Sequence, residues 1–175
     1  MLDLKKVVDW AKVFGVIKSV DTLKRNQTRP LRTEIVELSI DKYSGGNLKY
    51  VGNTVNGMDF KGTDGLRYEC KMQGKIFQPT KPWTNKITLK NHRTTKKNKV
   101  KKTFDKIIFI DCGKAKVGVA DFEDLTIYNL DAEVRCRVED QDNITIVADG
   151  VDPHESYDGV DMGKVIFEAI RENLK

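Results

Sequence analysis

Hydrophobic and polar positions change period along this chain, and the changes divide it into elements. From Asp3 to Phe14 the apolar residues Leu4, Val7, Val8, Ala11 and Phe14 recur at helical spacing. Asp3 stands where an N-cap belongs and Gly15 where a helix stops, with Trp10 left for an exposed or interface edge. Thr33 to Ile40 suits either period; Thr33 as a cap favours a helix, which Ser44-Gly45-Gly46-Asn47 then ends. A short run, Leu48 to Val51, leads into the stretch Met58 to Gln73, where the period becomes two. There Thr63-Asp64-Gly65 forms an Asp-Gly turn between alternating runs, which predicts a β-hairpin. On its second strand Leu66, Tyr68, Cys70 and Met72 share one face, and Glu69 and Lys71 the other.

Beyond the hairpin, residues 74–93 show no clear period and contain Pro79 and Pro82. Periodicity returns with Ile107 to Ile110, a short buried strand, and Lys116 to Phe122, a second strand joined to it by a tight turn. Ala132 to Val138 and Ile144 to Val147 read as two more strands, and Asp161 to Asn173 as a closing helix. The pattern predicts one mixed α/β domain with a β-rich middle and no internal repeats. Its parts are an N-terminal helical region (about 1–45), the hairpin (about 57–73), a basic segment (about 74–103), and core strands with a C-terminal helix (about 104–175).

At 175 residues, 39% hydrophobic and 33% charged, the chain has enough apolar surface for a core. No apolar run approaches a membrane span, and the start, Met-Leu-Asp-Leu-Lys-Lys, is not that of a signal peptide. Cys70, Cys112 and Cys136 lack CxxC spacing, which disfavours a zinc ribbon. A sparse, odd set of cysteines suits a reducing cytoplasm, with the cysteines as small core or strand residues.

The net charge of +5 conceals a strong asymmetry. From Cys70 to Phe104 there are eleven Lys and Arg residues and no acid; from Asp121 to Asp161, thirteen acids face only Arg135 and Arg137. Such separation is the footprint of a polyanion-binding side, and of salt-dependent affinity for nucleic acid. The basic segment also carries groups that read base edges or grip phosphate, with Gln73 just before it: Lys75, Gln78, Thr80, Lys81, Thr84, Asn85, Lys86, Asn91, His92 and Arg93. The run Lys96, Lys97, Lys99, Lys101, Lys102 suits backbone grip instead. The acidic loop from Asp149 to Asp161 lacks an EF-hand's spacing and reads as solvated.

Candidate chemistry lies in the hairpin. Asp59 begins the first strand; nine residues later come Glu69-Cys70-Lys71. The hairpin brings two carboxylates and an ammonium together at a sheet edge. Two carboxylates suit Mg²⁺, a hard ion that keeps several waters and accepts substrate phosphate as a further ligand. The ion lowers the pKa of a bound water and withdraws charge from the phosphate, and a neighbouring lysine can hold that water. Acid-x-Lys is a common triplet, and a solvated Glu/Lys face on a surface hairpin explains it without chemistry. Asp64 competes with Asp59 for the first acid but sits in the turn itself. Glu34 or Glu37 could reach the site from the preceding helix; either reads more simply as a solvated helix acid.

Asp59, nine residues, then Glu69-Cys70-Lys71 resembles the motif of the PD-(D/E)XK nucleases, particularly the small type II restriction endonucleases. Tyr68 before the glutamate, the strand Ile107 to Ile110 and the segment ending Phe122-Glu123-Asp124-Leu125 extend the likeness over roughly residues 57–125. Met58 stands where the proline of the motif's name would be. The resemblance implies a single-domain restriction-endonuclease-like fold, a central mixed sheet flanked by helices. It further implies Mg²⁺ held by Asp59, Glu69 and the Cys70 carbonyl, and Lys71 as the catalytic lysine. It implies a homodimer cutting both strands of double-stranded DNA at a short symmetric site. A cognate DNA methyltransferase in the same system, without a stable complex, would accompany it. A structure-selective repair or junction-resolving nuclease and a non-catalytic nucleic-acid-binding module are the alternatives.

Overall fold

The amino-terminal region folds as two helices, not the single one that the spacing suggests. Helix α1 spans Leu4–Val7, with the Asp3 carboxylate accepting from the Lys5 N–H at 3.2 Å. Val8 is extended, and Asp9 then acts as a second cap by accepting from the Lys12 N–H at 3.2 Å. Helix α2, Trp10–Thr22, runs straight through Gly15. Val13, Phe14, Val16, Ile17 and Val20 are all buried along it, and that burial outweighs the roughly 1 kcal/mol that a helical glycine costs. Trp10 is buried as well, its indole N–H donating to the Leu4 carbonyl at 2.9 Å, so it locks α2 to α1 and presents no exposed edge.

The computed structural model describes residues 1–22, 32–52, 58–74, 86–88, 102–125, 127–130, 133–137 and 143–153, with backbone only for 86–88, 127–130 and 133–137. The expected closing helix Asp161–Asn173, the acidic loop beyond residue 153 and most of the basic segment lie outside these residues. Among the described residues no helix is long and apolar enough to cross a membrane.

Helix α3, Arg32–Tyr43, resolves the ambiguous stretch as helical, with Thr33 inside the first turn rather than capping it. Its Ile35, Val36 and Ile40 are buried, and it packs on α2 and on strand β1, Leu48–Tyr50. Strands β2 (Phe60–Gly62) and β3 (Arg67–Gln73) form the expected hairpin, with Phe60 opposite Tyr68. Gly65 takes the left-handed conformation that the turn requires, at φ +81°. Gly62 is needed for space instead: a Cβ there would meet an Asp64 oxygen at 2.3 Å and the Tyr68 ring at 2.8 Å.

Strand β3 pairs in parallel with a strand distant in sequence. Labelling the short strand Lys86–Thr88 as β4, the partner is β5, Lys106–Asp111, with Glu69 beside Ile107 and Lys71 beside Phe109. Strand β6, Lys116–Asp121, returns antiparallel to β5, and one turn of 3-10 helix, Phe122–Asp124, follows it. Strands β7 (Ile127–Leu130), β8 (Glu133–Arg137) and β9 (Thr145–Ala148) complete the set; β7 was not expected from the pattern. Among the described residues the main sheet has six strands in the order β1-β2-β3-β5-β6-β9, mixed because β3 and β5 alone are parallel. A three-stranded antiparallel sheet runs β4-β8-β7.

Tyr68, Cys70, Ile108, Ile110 and Val117 on the main sheet share one apolar cluster with Val13, Phe14, Ile17, Val36 and Ile40 of the helices. Ile107 and Phe109 are also buried, so β5 is apolar on both faces, as a strand inside a mixed sheet must be. Cys70 and Cys112 are buried thiols, in keeping with the structural role expected of them. The described elements therefore make a mixed α/β architecture.

Candidate metal and phosphate site

The site forms where β1 ends, β2 begins and β3 passes between β2 and β5. The Asp59 N–H donates to the Tyr68 carbonyl at 2.8 Å, and its carbonyl accepts from the Val51 N–H at 2.9 Å. These bonds pin Asp59 between two strands, and its carboxylate accepts from the Cys70 N–H at 2.8 Å. Along β3, the Tyr68 carbonyl points to the Asp59 side, and the Arg67 and Gln73 carbonyls to the β5 side. Strand alternation therefore places the Cys70 carbonyl on the Asp59 side. Two residues apart on one face, Glu69 and Lys71 form an ion pair at 2.7 Å, with the Glu69 side chain only 7% exposed.

A third acid joins them from α3. Glu37 is buried, which overturns its reading as a solvated helix residue. Burial, first, and then the charges of Asp59 and Glu69 push its carboxyl up from 4.5 to about 9, with Lys71 offsetting part of the effect. Asp59 is pushed from 3.8 to about 6, by burial and then by Glu69, against the opposing Cys70 N–H and Lys71. Burial lowers the Lys71 ammonium, but its bond and attraction to Glu69 and the charge of Asp59 outweigh this, and the net direction is upward. Glu34, one turn before Glu37, is half-buried and adds its charge to that felt by Glu37.

Tyr50 completes the group and escaped the sequence reading altogether. Burial, followed by the charges of Glu37, Glu34 and Asp59, raises the pKa of its hydroxyl. The ring packs edge-on against Phe60 at 6.0 Å between centroids, and the Tyr50 N–H donates to Asp41 at 2.7 Å. No motif announces a tyrosine of this kind; a polar aromatic closing an edge strand ahead of the hairpin was the one available sign.

Asp64 is used elsewhere. It accepts from the Tyr68 hydroxyl at 2.7 Å, the Leu66 N–H at 3.0 Å and the Leu2 N–H at 3.1 Å, tying the turn to the chain's start. That engagement removes it as a rival to Asp59. Arg32 braces the far end of β3, pairing bidentately with Asp21 and donating to the Gly74 carbonyl at 2.9 Å. Both contacts hold the scaffold that carries Glu69 and Lys71.

Among the described residues no three His, Cys, Asp or Glu side chains are already close enough together to hold an ion. Asp59 is turned to a backbone N–H and Glu69 to Lys71. The donor set nonetheless suits a hard divalent cation. Three carboxylates face one ammonium, and two of them bind protons unusually tightly. An oxygen-seeking cation relieves that excess of negative charge.

Of the residues expected to contact DNA, Gln73 lies at the end of β3, half-buried, its side-chain amide donating to the buried Asp111 at 3.3 Å. Lys86 lies on β4. Lys75, Lys81, Thr84, Asn85, Asn91, His92, Arg93, Lys96 and Lys97 lie outside the described residues. Lys102, from the end of the lysine run, is paired with Glu123 at 2.5 Å and Asp105 at 3.8 Å. Comparisons with protein-family models, curated proteins and solved structures found no match.

Proposed function

We propose that this protein is a Mg²⁺-dependent endonuclease of the PD-(D/E)XK class, hydrolysing phosphodiester bonds of double-stranded DNA at a short specific site as a type II restriction enzyme does. The observation that carries the reading is the gathering of Glu37, Asp59, Glu69 and Lys71 around one hairpin of a mixed sheet. Three acids and a lysine gathered around one hairpin are expensive to fold together and useful for phosphoryl chemistry. The restriction-endonuclease-like form of the fold belongs to the same proposal.

Asp59, Glu69 and the Cys70 carbonyl are the groups to hold the metal. When bound, Mg²⁺ supplies a water of lowered pKa and neutralises charge on the phosphate. Glu37 adds a carboxyl whose proton the same cation would displace. Lys71, fully charged and pinned on the strand, positions the attacking water and offsets charge on a non-bridging phosphate oxygen. Water gives up a proton to solvent as its oxygen bonds to phosphorus, the bond to the leaving sugar oxygen breaks, and that oxygen takes up a proton from a solvent water. Eleven cations without an acid between Cys70 and Phe104 supply attraction for a polyanionic substrate. Cutting both strands of a symmetric site asks for two copies of the chain.

The test is digestion of a long unmethylated duplex in Mg²⁺ and in EDTA, by wild type and by Lys71→Ala. Discrete fragments that need Mg²⁺ and vanish in the variant are expected. Cutting confined to branched junctions would replace the restriction reading with a junction-resolving one. Tight, salt-sensitive binding with no cleavage of any DNA would remove the catalytic assignment.

A further inference from the structure

The three-stranded sheet has no part in the hydrolytic site, and its register sorts its charged residues unevenly. Lys86 on β4 lies directly opposite Arg137 on β8, and Thr88 opposite Arg135. On the other side of β8, Tyr128 lies opposite Arg135 and Leu130 opposite Glu133. Directly opposed residues share a face, as do residues two apart on a strand. One face thus collects Lys86, Thr88, Tyr128, Leu130, Glu133, Arg135 and Arg137. The other carries Ile87, Ile127, Val134 and Cys136, with Asn129.

Arg135 and Arg137 are the only cations among the residues from Asp121 to Asp161, where thirteen acids stand. Both fall on this face, and among the described residues no acid is placed opposite either one. Instead Arg137 meets Lys86, and a like-charge pair directly across an antiparallel ladder destabilises the free sheet. Among the described residues the one acid on the face, Glu133, sits at the end remote from Lys86, opposite Leu130. A sheet under selection for stability alone would place an acid across from Arg137. Arginine forks take phosphate oxygens bidentately, and Thr and Tyr hydroxyls are further donors to a nucleic-acid backbone. Two residues apart on a strand, Arg135 and Arg137 are separated by about 6.7 Å along it, enough to take separate phosphates.

We infer that the face of this sheet bearing Lys86, Arg135 and Arg137 binds the phosphate backbone of duplex DNA. The identity of the polyanion rests on the function proposed above; the charge placement does not. This face adds Arg135 and Arg137, from the acidic half of the chain, to contacts otherwise expected only of the basic segment.

The test measures binding of a fluorescein-labelled duplex oligonucleotide by fluorescence anisotropy, in EDTA so that nothing is cut, across a KCl series. Arg135→Gln with Arg137→Gln is expected to lower the slope of log affinity against log salt by about one per arginine, and affinity at least about tenfold. The free double variant should melt at or above the wild-type temperature, because a like-charge pair has gone; loss of a merely structural arginine would lower it. Glu133→Gln, which needs no arginine removed, should tighten binding and steepen the slope, and decides the matter if the double variant does not fold. Unchanged slopes in the folded variants would overturn the inference, as would wild type that binds polyglutamate in preference to duplex, or no duplex at low salt. Arginine-dependent binding together with no Mg²⁺-dependent cleavage would leave the face standing and remove the hydrolytic reading instead.

Discussion

Replacing Glu37 by Gln tests the electrostatic picture of the site without any substrate. Glu37 is buried among like charges, and its carboxyl is held at about 9 instead of the ordinary 4.5. A carboxyl with a raised native pKa binds more protons folded than unfolded, so stability falls as pH rises. The stability present below pH 4.5 is lost progressively up to about pH 9, and no further above it. At one pH unit per roughly 1.4 kcal/mol, wild type at neutral pH has given up about 3 kcal/mol at this one residue. Gln keeps the volume and cannot ionise, so Glu37→Gln should recover about 2–3 kcal/mol at pH 7. The assay is urea denaturation in EDTA at several pH values between 5 and 9, fitted for midpoint and slope. Wild type should weaken steadily over that range, and the variant much less. A variant less stable than wild type at pH 8, or one with an unaltered pH dependence, would refute the claim that Glu37 is a buried, repelled acid.

The same charges bear on cations: Mg²⁺ should raise the melting temperature more at pH 8 than at pH 6, as the proton leaves Asp59. At tenfold excess over Kd this is worth about 1.4 kcal/mol, and Asp59→Asn should abolish it in a thermal-shift titration. Away from the site, the Arg67 guanidinium bonded to Asp105 holds that carboxyl down at about 2, against 3.8. Its stabilisation is therefore present above about pH 4 and lost as pH falls through 2; solvent screening keeps it near or below about 1 kcal/mol, and acid titration of Asp105→Asn should show the missing step. Tyr68→Phe leaves Asp64 short of a donor at 2.7 Å and should cost about 1.5–3 kcal/mol in urea melts, with Mg²⁺ response retained. Gly62→Ala should be worse than an ordinary strand substitution, because its methyl meets Asp64 and Tyr68; an unchanged urea midpoint would show that the turn yields freely.

The hairpin was legible because everything that determines it is local: an Asp-Gly turn, alternation on both sides, and a two-residue period that puts Glu69 and Lys71 together. Strands β5 and β6 were legible as short apolar runs around a turn. Helix α2 ran past Gly15 for a reason the local pattern does not contain, since Phe14 and Ile17 find their partners on the sheet and on α3. Glu37 was misread for the same kind of reason. On α3 it looks like any acid on a helix, and only the packing of α3 beside β1 brings it to Asp59. Tyr50 depends on that same packing. The parallel pairing of β3 with β5 was also invisible, because register between distant strands leaves no mark on either strand's own period.

That parallel pairing has a consequence for how the protein comes to be folded. The hairpin from Phe60 to Gln73 closes through neighbours, whereas Arg67 and Asp105, where β3 meets the start of β5, are 38 residues apart. Closing that loop costs chain entropy before any contact rewards it, so the centre of the sheet is its least local joint. Refolding should therefore be limited by docking of β5 onto a preformed hairpin rather than by the hairpin itself. A truncated or nascent chain ending before Lys106 would carry the whole Asp59–Lys71 motif and still lack the strand against which it is held.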